Sequence, residues 1–429
     1  MTKPVRVGEL RPSQILLNYG IGALADLPNI SAIVTGLEDW PAEHGIPITE
    51  ERLLASVREE LGSQVKELIA PPPAPDLPIG ALPDDSVHTI GVPVASFPRW
   101  LVCPQCRLLA PISSGLFELA PNLFRPERAH YRHRNCFSKK AAPAIPIRFL
   151  AACTLGHLDD FPWVDYSHRG QPCGSPELKF LEQGSGDEPA DLAVVCTQCP
   201  AARSLAEALD RTGAYVLACT GRRPHLRDFD PDGCNERMRI ITLGASNTWF
   251  PSLLSALTLP REGDRLAQLV EEHWALLSKA RSPVFITAFR AAGQLNAFVQ
   301  YTDEQVWKVI EARGAGGNEQ ARDLKTPEYE IFTNAGAAPR SSDFRIREVE
   351  TPVAHRRWLE RVVLADRLRE VRALIGFTRI ESQGELDDPA LAAERRAPIS
   401  RLPAKWAPAT EIRGKAYSFS SGNKKLSIG

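Results

Sequence analysis

Apolar residues recur along this chain at two different periods, and the change between them divides it. Leu53, Leu54, Val57 and Leu61 fall at helical spacing, which predicts a helix over 49–69 with Thr49 as its cap. The proline-rich APPPAPDLP at 70–78 cannot continue that helix, because proline lacks the backbone N–H, and it reads as an extended linker. Upstream, 11–40 is a glycine-punctuated turn region running into a β-like segment around 30–34. From 98 to 240 short apolar runs alternate with Pro, Gly and Asp turns, and the runs at 145–151 and 192–195 read as strands that each deliver the chain to a cysteine. Residues 240–260 read as a strand, a turn and a short helix.

Beyond 260 the period becomes helical. Leu266, Leu269, Val270, Trp274 and Leu277 share one side of a helix predicted over 262–280. Thr302 and Gln305 suit a capping box for a helix at 303–313, with Gly314 as its stop. Leu364, Leu368, Val371 and Ile375, spaced four, three and four, predict a long helix at 356–375. The Gly- and Ala-rich 315–342 is expected to be exposed, and the chain beyond Ser382 to be a loosely ordered tail with one strand near 410–417. The expected fold is therefore α+β, multidomain and loop-rich. It has an N-terminal mixed region 1–97, a zinc-ribbon-like cysteine region 98–240, a mostly helical region 241–380 and a tail 381–429.

Composition narrows the function. The 429 residues suffice for two or three domains, and the 36 prolines favour many short elements over long bundles. Lys and Arg number 51 against 52 Asp and Glu, so a nucleic-acid surface has to come from local patches and not from net charge. The opening MTKPVRVGEL has no apolar core of a leader, and no run is long enough to span a membrane; a cytoplasmic protein without membrane association is expected.

All nine cysteines lie between Cys103 and Cys234. In a reducing compartment such a cluster points to metal ligands or buried thiols before disulfides. Two pairs are C-x-x-C knuckles, Cys103 with Cys106 and Cys196 with Cys199, a spacing that lets two thiolates reach one tetrahedral ion. Cys196, Cys199, Cys219 and Cys234 form one candidate zinc site of four thiolates. Cys103, Cys106 and Cys136 form another, whose fourth ligand is open among Cys153, His133 and His157. Cys153 makes the site all-thiolate, whereas His133 repeats the knuckle spacing in HRNC. Two structural zinc ions are expected, with Cys173 a spare thiol. The bland alternative is a group of unligated buried cysteines.

His157, Asp159, Asp160, Asp165 and His168 resemble the ligands of a hydrolytic metal centre, which keeps a metal-dependent nuclease in view. Against it stands a turn whose Asp side chains cap backbone amides while Phe161 and Trp163 enter the core. No G-x-x-x-x-G-K-[ST] loop and no nucleophile elbow is present, so no catalytic residue is assigned and the chain is expected not to be an enzyme by itself. Arg125, Arg128, Arg132, Arg134, Lys139, Lys140 and Arg148, interleaved with Phe124, Tyr131 and Phe137, are candidates for tracking a phosphate backbone. A solvated charged face, or a purely structural interaction module, is the competing reading. A second basic stretch from Arg340 to Arg372 is diluted by acids.

Five motifs in order, RPSQILLNYGIGALADLPN at 11–29, CTLGHLDDFPW at 153–163, CTGRRPHL at 219–226, LGASNTWFPSLLSALTLP at 243–260 and LREVRALIGFTRI at 368–380, together resemble the DrmB-like proteins. These are the DUF1998-containing subunits of DISARM anti-phage defence systems, and the matches run from about residue 7 to about residue 415. The resemblance implies a non-catalytic subunit that engages DNA with a DrmA-like superfamily 2 helicase-like ATPase, alongside other DISARM components. It favours the 125–148 stretch as a DNA contact and makes the zinc sites scaffolding. Two departures stand out. His225 occupies a position where the pattern has Trp, and EIRGKAYSFSSGNKKLSIG ends the chain where such proteins continue.

Overall fold

The computed structural model describes residues 12–27, 29–71, 91–122, 128–137, 143–182, 191–209, 215–260, 266, 269–270, 273–314, 324–336, 338, 341–385, 389–420 and 426–428. Most of the proline-rich linker expected at 70–78 lies outside the described residues. The chain divides into two compact units, each assembled from separate stretches of sequence. One takes Met1–Thr49, Glu60–Leu254 and Ala373–Thr410, and the other Glu50–Glu59, Ser255–Arg372 and Glu411–Gly429.

The first unit is built on antiparallel sheet. Eight short strands run in the order Ala202–Ser204, Leu192–Cys196, Leu178–Glu182, Leu108–Pro111, Trp100–Val102, Pro143–Pro146, His130–His133 and Phe117–Ala120. Leu192–Cys196 alternates buried Leu192, Val194 and Cys196 with half-buried neighbours, the period-two signature of a strand covered on one face. That face carries Phe161, Trp163 and Tyr166, with the Phe161 and Trp163 rings edge to face at 4.7 Å. A four-stranded sheet follows the order Leu158–Asp160, Phe149–Ala152, Arg237–Thr242 and Leu217–Ala218. The run expected as one strand at 145–151 is two, Pro143–Pro146 in the eight-stranded sheet and Phe149–Ala152 in the four-stranded one, and the second leads into Cys153; the strand expected at 192–195 is Leu192–Cys196 and ends on a cysteine.

At the centre of this unit sits Arg379, fully buried. Its three recorded acceptors are backbone carbonyls: Gly156 through Nε at 3.0 Å, Gly22 through Nη2 at 2.7 Å, and Thr248 through Nη1. Gly22 and Gly156 have φ of +82° and +83°, and a Cβ on Gly22 would lie 2.4 Å from the Phe377 ring. Glycine is therefore required where these carbonyls turn inward. Arg379 also lies over the face of Phe377, 4.8 Å from its centroid, and His225 meets the same ring edge-on at 5.1 Å. Each of the five ordered motifs thus contributes a residue to one buried cluster. His225 fills the aromatic place with a polar group whose Nε2 bonds the Pro398 carbonyl at 2.9 Å while its Nδ1 is buried without a hydrogen-bond partner.

The second unit is mixed. Helices occupy Trp274–Leu277, Pro283–Ala291, Asp303–Gly314 and Lys325–Thr333. The predicted capping box is present, with the Thr302 amide donating to Gln305 Oε1 and the Gln305 amide to Thr302 Oγ1. Leu266, Val270 and Leu277 pack into one apolar cluster with Ile286, Phe298 and Ile310, although parts of 262–280 lie outside the described residues.

Several expected helices are corrected. The long helix at 356–375 is a strand, Arg361–Thr378, because Val362, Val363, Ala365, Ala373 and Phe377 are buried along with Leu368, Val371 and Ile375 of the stripe. That burial is too broad for one helical face, and Arg345–Val349 pairs antiparallel along it. The short helix near 250–257 is likewise a strand, Phe250–Leu257. The helix expected at 49–69 stops at Leu61, where Gly62 takes φ of +101°, and Glu67–Ala70 then pairs in parallel with the start of Trp406–Ser420. That last strand is longer than the one expected at 410–417, and the mostly helical character expected of 241–380 gives way to helix and strand together.

Replacing Arg379 by Met strands three buried carbonyl acceptors, each costing about 1–3 kcal/mol. Denaturant unfolding of that variant is expected to show a loss of about 3–5 kcal/mol, and a change under about 1 kcal/mol contradicts the assigned role. Burial, and then the positive charge of Arg379, push the His225 imidazole down to about 3. The unfolded chain takes up a proton there near pH 6.5 that the native state refuses, so stability falls as pH drops from about 6.5 toward 3. His225→Phe removes that contribution, and its unfolding free energy is expected to change less with acid than that of the wild type.

Candidate metal centres

Cysteine ladders end at metal-ligand geometry in three places. In the first, Trp100–Val102 and Leu108–Pro111 form a hairpin with Val102 opposite Leu109. The ladder continues one step, Cys103 N–H to Leu108 C=O at 2.9 Å, and Arg107 at φ of +61° closes the knuckle that holds Cys103 and Cys106. His130–His133 supplies the other half, and Asn135 at φ of +57° turns the chain toward Cys136. Cys103 Sγ stands 3.8 Å from Cys136 Sγ, and Cys106 Sγ 3.3 Å from His133 Nδ1.

In the second, Cys153 follows Phe149–Ala152 and its amide donates to the His157 carbonyl, so both ligands belong to one tight turn with Gly156 at its corner. Cys219 extends Leu217–Ala218 through a bond from its amide to the Glu236 carbonyl, and Cys234 lies just before Arg237–Thr242. His157 Nδ1 is 3.4 Å from Cys153 Sγ and 3.5 Å from Cys219 Sγ. Its Nε2 meets Asp230 Oδ2 at 3.0 Å, which places the proton on Nε2 and leaves the Nδ1 lone pair for the sulfur side.

The third joins His168, Cys173, Cys196 and Cys199. Cys173 and Cys196 sulfurs are 3.8 Å apart, and the Gln198 amide donates to Cys196 Sγ at 3.4 Å. His168 Nδ1 bonds the Val164 carbonyl at 2.8 Å and Ser167 Oγ at 2.9 Å. Its Nε2 is buried with no hydrogen-bond partner, an orphan that a metal ion satisfies.

Within each set the four ligand atoms lie within 4.8 Å of one another. The sulfurs are far beyond the ~2.05 Å of a disulfide, and all nine cysteines are free thiols. Charge is unevenly shared among them. A hydrogen bond from Cys219, joined by His157, holds Cys153 down to about 4, while Cys219 is driven up by that same thiolate and by burial. Cys106 is pushed up to about 11 by burial and by Cys103 beside it. Burial raises Cys103 and Cys196 as well, but knuckle amides outweigh it: Cys103 ends below the ordinary thiol value, and Cys196, with His168 contributing, falls to about 6. Burial lowers His133, which favours the neutral imidazole a metal needs.

These positions correct the expected grouping. Cys103, Cys106 and Cys136 are together, but their fourth partner is His133. Cys153 belongs with His157. Cys219 and Cys234 do not meet Cys196 and Cys199, because the first pair flanks the four-stranded sheet and the second ends a strand of the eight-stranded one. Cys173 is a member of the third set, and three sets replace two. Asp159 and Asp160 contact Arg99 and Arg222 instead of a metal set, and Asp165 lies in none. Phe161 and Trp163 are fully buried, as the bland reading of that turn required.

Of the candidate phosphate contacts, Arg128, Arg132, Arg134 and Arg148 are described; Arg125, Lys139 and Lys140 lie outside the described residues. Arg132 and Arg134 are exposed and share Glu118, at 3.1 and 4.0 Å. Tyr131 is buried and bonds Ser96 through its hydroxyl, so it is no stacking platform, whereas Phe137 is 79% exposed.

A family model described as "Domain of unknown function (DUF8724)" matches residues 11–250. The chain belongs to the DUF8724 family. All nine cysteines fall inside the DUF8724 region, as do the first three motifs and part of the fourth, while Arg379 reaches into it from outside. The expected resemblance is also found: the chain is 26% identical over 356 residues to "DISARM protein DrmB" of Bacillus paralicheniformis (strain ATCC 9945a / NCIMB 11709 / CD-2), covering 78% of this chain and 60% of that protein. The DUF8724 protein therefore spans less than two thirds of that relative's length. Among the described residues no helix is long and apolar enough to cross a membrane.

Three independent sets predict three equivalents of divalent metal per chain by elemental analysis. Cys103→Ser, Cys153→Ser and Cys196→Ser are each expected to lower the content by one. Two equivalents in the wild type, or loss of two on Cys196→Ser, contradicts the grouping.

Proposed function

We propose that this DUF8724 protein is a non-catalytic, zinc-stapled subunit of a DISARM-type anti-phage system that engages DNA together with a DrmA-like helicase-like ATPase. The observation that carries the reading is the similarity to DISARM protein DrmB across 356 residues. The five motifs of the resemblance supply the residues that meet around Arg379, which supports a shared architecture and not a shared local motif.

Zinc suits the three sets. Its bonds of about 2.3 Å to sulfur and 2.0–2.1 Å to nitrogen, in tetrahedral array, separate two sulfurs by about 3.8 Å and sulfur from nitrogen by about 3.5 Å. The Cys103–Cys136 and Cys173–Cys196 sulfur pairs are 3.8 Å apart and the sulfur–nitrogen pairs 3.3–3.5 Å. Three thiolates and an imidazole close the coordination shell, so each ion would contribute folding free energy and leave no open position for substrate. In that role Cys103, Cys106, His133 and Cys136 hold one ion, Cys153, His157, Cys219 and Cys234 a second, and His168, Cys173, Cys196 and Cys199 a third.

Arg128, Arg132, Arg134 and the exposed Phe137 project from the segment between the ligands of the first site and beside them, and are proposed as phosphate and base contacts, with Arg125, Lys139 and Lys140 of the same stretch. The nuclease reading finds little support, since the Asp159 and Asp160 carboxylates are engaged by Arg99 and Arg222.

DNA affinity measured against salt tests the reading. Log K is expected to fall linearly with log salt, by about 0.7 to 0.9 per phosphate contacted. The Arg128→Ala, Arg132→Ala, Arg134→Ala triple variant is expected to shallow that slope by about 2. A flat salt response in the wild type removes the phosphate-binding claim. Cleavage of labelled DNA that needs magnesium and is lost in Asp159→Ala reverses the non-catalytic one.

A further inference from the structure

Away from the three metal sets, the first unit carries a pocket of about 210 Å³ lined by Ile33, Phe97, Arg99, Arg222, Arg227 and Phe229 among others. Its volume lies below the roughly 300–1,000 Å³ of sites for drug-sized ligands, which suits one ring system with the groups attached to it held at the mouth. One wall is the short hairpin Arg222–Arg223 with Asp228–Phe229, in which Arg222 stands directly opposite Phe229. Directly paired residues project from the same face of a hairpin, so a guanidinium and a phenyl ring lie side by side. Phe229 is 61% exposed, an unusual position for a large aromatic with no ring partner recorded.

The arginines are held without being used up. Arg99 binds Asp160 through Nε at 2.8 Å, and Arg222 binds Asp159 through Nη1 at 2.7 Å. Arg227 binds Asp39 through Nη2, and Arg223 grips the lining Asp228 with two bonds at 2.8 and 2.9 Å. Each carboxylate engages only part of its guanidinium. Arg222 keeps Nε and Nη2, and Arg227 keeps Nε and Nη1, as donors. Acids that fix an arginine by one edge leave the rest of its fork oriented for a second acceptor. The hairpin is anchored from behind, because the turn residue His225 is buried, bonds the Pro398 carbonyl and accepts the Gly36 amide at 2.8 Å. The site is therefore preorganised.

We propose that this pocket binds one unstacked nucleotide unit, with the base against Phe229 and the apolar wall and the phosphate on the free N–H groups of Arg222 and Arg227. Planar rings with an attached phosphate match a phenyl face beside two guanidinium forks, and base stacking of this kind tolerates any base. The inference rests on the DNA-engaging reading for its natural source, a single strand, but the recognition chemistry holds equally for a free mononucleotide.

The test uses the full chain, labelled dT12, a blunt duplex, dTMP and phenyl phosphate. Phe229→Ala and Arg227→Ala, both at exposed side chains, are each expected to weaken dT12 binding about tenfold and to leave duplex binding within about twofold. dTMP bound by the wild type and lost in both variants supports the pocket with a free nucleotide as its occupant, even if no DNA binds; in that case the DNA-engaging reading fails and the pocket stands. DNA binding by the wild type with dT12 affinity unchanged in both variants and no dTMP binding overturns the pocket and leaves the DNA-engaging reading intact. Absence of both dTMP and DNA binding overturns both. Phenyl phosphate displacing dTMP at lower concentration overturns the nucleotide assignment in favour of a phosphorylated aromatic side chain.

Discussion

Three thiols and an imidazole whose ligand atoms lie within 4.8 Å of one another cannot all reach their metal-binding form by themselves. The first thiolate to form suppresses the others, which is why Cys153 is held low while Cys219 is driven up. A bound cation would relieve that repulsion and let all three thiols ionise. With an ion in place the short strands around the sets would depend on it, since strands of two to six residues fix little register by their own ladders. The cysteine that ends each ladder adds one more backbone pair and then ties the strand end to a distant stretch of chain.

The buried guanidinium of Arg379 is a second fastening of a different kind. It gathers carbonyls from turns at Gly22, Gly156 and Thr248, so the turn carrying His157 of the second set is joined to both ends of the DUF8724 region. Because Gly156 lies between Cys153 and His157, the metal set and the arginine cluster share one turn. The hairpin holding His225 is fixed by the same cluster, and its outer face forms the arginine-lined pocket. The pocket proposed for a nucleotide then rests on rigid supports although it is lined largely by loops and two-residue strands.

The sequence marked the cysteines as candidate ligands before it showed how they group. Grouping Cys196, Cys199, Cys219 and Cys234 leaves no place for a histidine in that site and makes Cys173 spare, while His133 and His157 compete with Cys153 for a single place in the other. Nine thiols divide evenly by three once one histidine joins each set. The local signals were His133-x-x-Cys136, Cys153-x3-His157 and His168-x4-Cys173, three short pairs each completed by another pair of cysteines. His168 was hidden because its neighbours Asp159, Asp160 and Asp165 suggested a carboxylate centre. The strand at Arg361–Thr378 was hidden for another reason: a stripe of Leu364, Leu368, Val371 and Ile375 satisfies a helix, and only the burial of the residues between them reveals a sheet. Short signals with fixed partners, such as the Thr302 and Gln305 capping box, were legible because everything they need lies within one turn.

X-ray absorption at the edge of the bound metal tests the central claim most directly, because it reads the averaged ligand shell without perturbing the chain. The account predicts three sulfurs at about 2.3 Å and one nitrogen at about 2.0–2.1 Å per ion. A shell of four sulfurs, or one with oxygen in place of sulfur, would contradict the assignment of one histidine and three cysteines to every centre.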